Sequence, residues 1–330
     1  MIETIKIYVE WYKLWGCIPS RTLIQGVRSF KNRDFRNAAI SFEKELIKNP
    51  KHKAAKCIHF DCAISYYKLD LMDKAYIQLS KSYYFKKPYL EVFLMKAGIE
   101  RLRQDFKNVN ETLKIAQTFY SEHPQIISLL LHCSIESGDY ISATKYYEEI
   151  ISLRAKLPID SKDMINIDTA IAHYHVIQND LEQGEQRIIR VLASGEFVYE
   201  AFILRARLFY IQEKMHLAKE QCKRCISINP HDARSYEILA KIYLISDNTA
   251  EGHWAVEFAK KACELTSWKN AEYLALLSRG YYFMEDFDRG SLYKSFAENI
   301  RLENNFSSEN INSAKEQILR LQDLKISIRQ

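Results

Sequence analysis

The sequence predicts an all-α protein, built as a right-handed α-solenoid of about eight helix pairs with terminal capping helices. Three observations support this prediction. Apolar residues recur at intervals of three and four, a unit of about 34 residues returns along the chain, and helix breakers are sparse. Only 9 glycines and 6 prolines occur in 330 residues. A pair of short helices cannot bury its apolar faces alone, so each pair has to stack on its neighbours.

The repeat is clearest over residues 199–230. Its first helix is marked by Phe202, Ala206 and Phe209, and its second helix by Ala218, Cys222 and Cys225. These residues lie at helical spacing, with small residues where the two helices are expected to cross. The unit closes at Asn229-Pro230, where the proline cannot continue the helix.

Seven further units align with this one and share small residues at the crossing points. The marks are Gly26, Ala38 and Phe42 in the first unit; Ala63, Ala75 and Leu79 in the second; Ala143 and Tyr147 in the fourth; Ala172, Gly184 and Ile188 in the fifth; Ala240, Ala255 and Ala259 in the seventh; and Tyr281, Gly290 and Ala297 in the eighth. The third unit, near 93–124, departs from the pattern because Thr112 stands where alanine is expected.

This pattern resembles the tetratricopeptide repeat, and the resemblance covers most of the chain. The sequence of residues 262–274 is also similar to a linker-and-helix pattern common in bacterial members of that family, which favours a bacterial source. The resemblance implies a non-enzymatic scaffold or adaptor. Such a protein binds a peptide segment or helix in the concave groove of its superhelix and assists the assembly of a complex.

Repeat arrays need atypical ends that cover their exposed apolar faces. We therefore expect an N-terminal capping helix over 1–18, a solenoid over 19–305 and a C-terminal capping helix over 306–330. The first of these helices has an apolar stripe of Ile2, Ile5, Val9 and Tyr12. An alternative is that this helix lies on a membrane surface or inserts into a partner, as part of a peripheral membrane-associated regulatory or assembly factor.

In the resembling family the first helix of each repeat lines the groove. By that alignment the groove residues are Leu23, Val27, Phe30, Phe60, Ile64 and Tyr67 towards the N-terminus, and Arg207, Tyr210, Arg234, Lys241, Arg279 and Tyr282 towards the C-terminus. The groove is thus expected to change from apolar to charged, with arginines pairing with acidic groups of the bound segment. A shift of one residue in register would place some of these side chains in the core.

Charge is unevenly distributed along the chain. Residues 1–60 carry 12 Lys/Arg and 5 Asp/Glu, whereas residues 101–200 carry 10 and 15, and the whole chain has a formal net charge of +5. The basic first segment could attract an acidic protein or an anionic surface, or could simply be a solvated face. The basic residues form no dense tract, so a nucleic-acid partner is not predicted. Membrane association and a homodimer remain open.

The sequence predicts a cytoplasmic protein. The first residues contain Glu3 and Glu10 and no signal-peptide pattern, and no apolar segment is long enough to span a bilayer. The seven cysteines are an odd number at scattered helical positions, which favours reduced thiols used as small apolar side chains.

Signals for catalysis or metal binding are weak throughout, so we expect no enzyme activity, no cofactor and no metal. Cys222 and Cys225 have the spacing of half a zinc site, but no second pair accompanies them and both lie at packing positions. His173 and His175 are expected on different faces of a helix. No phosphate-binding glycine loop, metalloprotease motif or nucleophile elbow is present.

Overall fold

The computed structural model describes residues 18–82, 89–158, 163–195, 198–245 and 251–303. These residues form sixteen α-helices and no strand, which confirms the predicted all-α repeat fold. In order, the helices are α1 (Arg21–Lys31), α2 (Phe35–Lys48), α3 (Ala55–Lys68), α4 (Met72–Ser82), α5 (Leu90–Leu102), α6 (Phe106–Phe119), α7 (Pro124–Glu136), α8 (Tyr140–Lys156), α9 (Asp163–Ile177), α10 (Leu181–Ala193), α11 (Tyr199–Ile211), α12 (Met215–Ile228), α13 (Ala233–Ile245), α14 (Gly252–Leu265), α15 (Ala271–Phe283) and α16 (Phe287–Glu303). The capping helices predicted over 1–18 and 306–330 lie, apart from Ile18, outside the described residues.

Consecutive helices form eight pairs, and seven of the pairs are joined by a three-residue turn of one kind, the pair turn. Its middle residue always has a positive φ, and these residues are Arg33, Asp70, Gln104, Gly138, Asn179, Glu213 and Glu285. The amide of the third residue donates to a carbonyl five residues earlier, as Asp34 N does to Ser29 O at 2.9 Å. This is the Schellman ending of a helix, made here mostly without glycine.

The third residue of the pair turn also begins the second helix. It is aspartate in five of the seven turns, namely Asp34, Asp105, Asp139, Asp180 and Asp286. Each of these carboxylates accepts the backbone amide three residues further on, at 3.1 to 3.3 Å. Lys214 has the same backbone conformation but no acceptor to offer. One residue therefore ends one helix and caps the next.

The chain divides into two compact units, of which the first comprises residues 1–101 and 105–126. Its described helices share one apolar core, whose fully buried members include Ala38, Phe42, Ile58, Cys62, Ala63 and Leu79. The small residues that mark the repeats lie where helices cross. At Gly26 a Cβ atom would lie only 2.8 Å from the ring of Phe42.

Thr112, the exception in the third repeat, has a polar explanation. Its hydroxyl donates to Glu100 Oε2 at 2.9 Å, and Lys96 Nζ lies 2.7 Å from both Thr112 Oγ1 and Glu100 Oε1. Tyr76 donates to the same carboxylate at 3.0 Å. Because Glu100 is buried, it needs hydrogen-bond donors, and threonine supplies one that alanine would not.

The second unit comprises residues 102–104 and 127–330. Its first helices contact one another directly, α9 with α11, α11 with α13 and α13 with α15, while each second helix packs between neighbouring first helices. Cys222 and Cys225 are buried in two separate core clusters, as the packing interpretation predicts, and burial raises the pKa of both thiols. Among the helices described here, none is long and apolar enough to cross a bilayer.

Candidate functional site

The first helices of the second unit bring a set of polar side chains together, which we call the first-helix network. Its members are His132 and Glu136 on α7, His173 on α9, Glu200 and Arg207 on α11, Asp232 just before α13, and Arg234 and Glu237 on α13. All have low solvent exposure. Because neighbouring first helices touch, residues far apart in the chain meet here.

Arg234 lies at the centre of the network and is 6% exposed. Its Nη1 donates to Glu136 at 2.8 Å and to Glu200 at 2.5 Å. Nη2 donates to Glu200 at 3.1 Å and to Asp232 at 2.5 Å, and Nε donates to Asp232 at 3.0 Å. Burial alone would lower the pKa of Arg234, but these three carboxylates outweigh it and raise that pKa well above its ordinary value.

The surroundings of Arg234 are acidic on balance. Glu237 has two cations beside it, Arg207 Nη2 at 3.8 Å and Lys241 Nζ at 2.5 Å. With Lys241 included, the ion pairs of the described residues join four carboxylates to three cations. The carboxylates are Glu136, Glu200, Asp232 and Glu237, and the cations are Arg207, Arg234 and Lys241. The negative charge also affects Tyr273 of α15. Burial and then the charges of Glu237, Asp232 and Glu136 raise the pKa of its phenol. The network therefore surrounds its arginines with carboxylates rather than presenting them free.

Two histidines extend the network. His132 Nδ1 lies 2.8 Å from His173 Nδ1, and Arg207 Nη1 lies 3.3 Å from His173 Nε2. A guanidinium can only donate, so Nε2 of His173 is the acceptor and its proton resides on Nδ1. That proton is donated to Nδ1 of His132, which in turn carries its own proton on Nε2. His175 Nδ1 lies 3.0 Å from Asp180 Oδ2 instead. His173 and His175 therefore face different sides of α9, as predicted.

The imidazole of His173 is held in its neutral form. Burial, then the neighbouring His132 and Arg207, lower the pKa of His173 well below its ordinary value. Donor atoms of His132, His173 and Glu200 lie within 4.8 Å of one another, a grouping that could hold a metal ion. However, both ring nitrogens of His173 are already hydrogen-bonded, to His132 and Arg207, and both oxygens of Glu200 already bind Arg234. The arrangement suits a hydrogen-bonded network better than a metal centre.

Two of the predicted groove residues are buried, which corrects their assignment. Leu23 is fully buried in the core of the first unit, because it lies on the side of α1 that packs inward. Arg234 is buried with all three guanidinium nitrogens engaged, so in this structure it has no donors left for a bound segment. Arg207 and Tyr210 are half-buried, and Arg207 is committed to Glu237 and His173.

The remaining predicted groove residues keep some exposure. Val27, Phe30, Phe60 and Tyr67 are half-buried and pack against the core of the first unit, and Ile64 is also half-buried. Lys241 is partly exposed beside Glu237, and Arg279 is exposed. Tyr282 lies against Gly290 of its own pair, with its hydroxyl 3.1 Å from Ser291 Oγ. For these residues the groove assignment stays a prediction.

Sequence reasoning missed His132, Glu136 and Asp232 as members of this network. One signal was present: His132 and Glu136 lie four residues apart at the end of α7, a helix otherwise made almost wholly of apolar and small polar residues. Two ionisable residues on one face of such a helix need partners inside the fold. The identity of those partners could not be read from the local sequence.

No family model and no curated protein matches the chain. Several solved structures are similar to this chain in fold. A tetratricopeptide repeat protein from Parabacteroides merdae is 14% identical over 78% of this chain and 97% of that one, with a TM-score of 0.53. The APC/C hetero-tetramer Cut9–Hcn1 gives 12% identity over 84% of this chain but 52% of that one, about half its length, with a TM-score of 0.51. A human IFIT1 dimer with PPP-AAAA gives 13% identity over 84% and 67%, with a TM-score of 0.52.

These identities are too low to carry an activity from one protein to another, and they concern the fold alone. The similarity extends over most of the chain, and the paired helices, the crossing glycines and alanines and the three-residue turns agree with it. The fold of this chain is that of the tetratricopeptide-repeat proteins.

Proposed function

We propose that this chain is a non-enzymatic scaffold that binds a peptide segment or helix of a protein partner along its first helices and so helps to assemble a complex. Stacked helix pairs offer an extended surface for such binding. From the sequence we further propose a bacterial, cytoplasmic protein.

The observation that carries the proposal is a set of half-buried apolar side chains on the first helices of the first unit. Phe30 on α1 and Phe60 and Tyr67 on α3 pack against the core cluster while part of each side chain stays exposed. Side chains held rigidly from below lose little conformational freedom on binding, and aromatic anchors of this kind dominate many interfaces. Apolar side chains of a partner helix or peptide could pack on these residues.

The second unit contributes charge rather than apolar surface. Arg279 is exposed on α15 and forms no ion pair with any residue that the structure describes. Lys241 is 39% exposed and is held near Glu237. These two cations, rather than the saturated Arg234, are available to acidic groups of a partner.

The test compares Phe60→Asp with a matched control. Ile47, on the second helix α2, is 81% exposed, so Ile47→Asp also replaces an apolar side chain by aspartate but does so away from the first helices. Both variants and the wild type are immobilised, exposed to native lysate, and compared by mass spectrometry of the retained proteins. Circular dichroism and urea unfolding establish that all three are folded.

We expect a partner that the wild type and Ile47→Asp retain and that Phe60→Asp loses. Titration of the purified partner then measures the affinity directly, and Arg279→Glu shows whether the second unit takes part. If Phe60→Asp is folded and retains every partner of the wild type, binding along the first helices of the first unit is refuted.

A further inference from the structure

Three arginines in the second unit converge on one buried carboxylate. Asp168 of α9 is 4% exposed, and its Oδ1 accepts from Arg154 Nε of α8 at 3.1 Å and from Arg187 Nη1 of α10 at 2.6 Å. Arg190, one turn further along α10, places Nη1 3.8 Å from Asp168 Oδ2. The four residues form what we call the arginine cluster.

The arginine cluster is separate from the first-helix network. Asp168 and His173 are five residues apart on α9, which places them about 140° apart around that helix. The two groups also have opposite arrangements of charge. In the first-helix network three carboxylates surround one arginine, whereas in the arginine cluster three arginines surround one carboxylate.

Among the described residues, the positive charge of the cluster is not balanced by carboxylates. One carboxylate neutralises one guanidinium, which leaves an excess of about two positive charges. None of the three arginines forms an ion pair with another carboxylate of the described residues. Consistent with crowding of like charges, burial lowers the pKa of Arg187, and Arg154 and Arg190 lower it further against the effect of Asp168.

The cluster is partly exposed to solvent and contains one unsatisfied donor. The side chains of Arg190 and Arg154 are 59% and 36% exposed, while that of Arg187 is 17% exposed. Arg187 Nε is buried and has no acceptor among the residues that the structure describes. Buried N–H groups without a partner are rare and costly, so an oxyanion at this point would supply a missing acceptor.

We propose that the arginine cluster binds a phosphate monoester on a phosphorylated segment of a protein partner. Such a group carries a charge of about −1.5 to −2 at neutral pH, which matches the excess of the cluster, and its oxygens suit guanidinium forks. Asp168 acts as the positioning residue that holds Arg154 and Arg187 together. The protein nature of the carrier rests on the proposed scaffold function, whereas the recognition of phosphate does not.

A compact dianion fits this surface better than a nucleic acid. Residues 101–200 carry 10 Lys/Arg and 15 Asp/Glu, so the cluster is a local exception in an acidic region. A polyanionic chain needs a basic track over several phosphates, and acidic neighbours would repel it. A single phosphate needs only the three arginines, whose combined charge exceeds that of Asp168.

The first experiment titrates the full-length protein with inorganic phosphate and follows the side-chain Nε–Hε signals of its arginines by NMR. We expect the signals of Arg187 and Arg190 to shift in a saturable way in the millimolar range. Sodium chloride at the same ionic strength should give no saturable shift. Arg190→Gln should weaken phosphate binding about tenfold, because it removes a charged donor. Arg36→Gln removes an exposed arginine of α2, in the first unit, and should leave the affinity unchanged.

The second experiment identifies the carrier. A degenerate phosphoserine peptide library, its unphosphorylated counterpart and single-stranded oligonucleotides are compared for binding to wild type and Arg190→Gln. Preference for the phosphopeptides, lost in Arg190→Gln, supports the proposal, and preference for the oligonucleotides overturns its protein carrier. Absence of saturable phosphate binding, or equal binding by Arg190→Gln, overturns the site itself. Phe60→Asp should bind phosphate normally, so the scaffold proposal and this one fail independently.

Discussion

Replacing Arg234 by methionine should unfold the second unit more easily, by an amount that depends on pH. The substitution keeps the length of the side chain but leaves Glu136, Glu200 and Asp232 without the cation that all three contact. Removing one partner of a buried ion pair costs about 3–5 kcal/mol. A second route gives a similar figure, since the variant can relieve the repulsion by protonating one carboxylate. At pH 7 that step costs about 3.7 kcal/mol for a glutamate of ordinary pKa.

The same reasoning fixes the sign of the pH dependence. The cost of protonating a carboxylate falls by about 1.4 kcal/mol for each unit of pH, so the deficit of the variant should shrink to about 1 kcal/mol at pH 5. Urea unfolding followed by circular dichroism at both pH values measures the difference from wild type. Arg279→Met is the control, and an exposed arginine should cost no more than about 0.5 kcal/mol. A deficit below about 1 kcal/mol at pH 7, or one that is equal at both pH values, would refute the central role of Arg234.

Other predictions follow from the turns, the crossing points and the histidine pair. Lys214→Asp should stabilise the protein by about 1 kcal/mol, because it adds the cap that five equivalent turns possess, and an unchanged urea midpoint would contradict this. Gly26→Ala should cost about 1–3 kcal/mol, since its Cβ would meet the ring of Phe42, whereas Gly98→Ala meets no atom within 4 Å and should not destabilise. His173 is held neutral, with its pKa below the unfolded value, so its contribution to stability is present above about pH 6.5 and declines as the pH falls. His173→Asn should remove that part of the acid sensitivity. The measurement compares the free energy of unfolding of the variant and of the wild type at pH 7.5 and at pH 5.5. An equal loss of stability in both proteins would contradict a neutral, buried His173.

The helices and their pairing could be predicted because they depend on local patterns. Small residues such as Ala206 and Ala218 recur at fixed spacing, and both are fully buried where the prediction places a crossing. The aspartates of the pair turns are equally local, since their backbone contacts lie within five residues. Each of these features can be recognised inside one repeat.

The first-helix network could not be predicted in the same way. Arg234 reaches Glu136 across 98 residues, and this contact depends on how successive first helices stack. A repeat alignment gives the helix on which a residue lies but leaves its exact direction open, as Leu23 shows. It also cannot tell whether an arginine on a first helix points to solvent or is neutralised by carboxylates from other repeats.

The pair turn has a consequence for how this chain assembles itself. Because a single residue such as Asp139 fixes the end of one helix and the start of the next, the angle between them is largely specified within a few residues of sequence. A helical hairpin of this kind closes only a short loop, so its formation should be fast and need little help from distant contacts. Each hairpin can then serve as a template for its neighbour. The same independence lets a repeat be duplicated or lost as one block, while the cross-repeat ion pairs would have to be rebuilt each time.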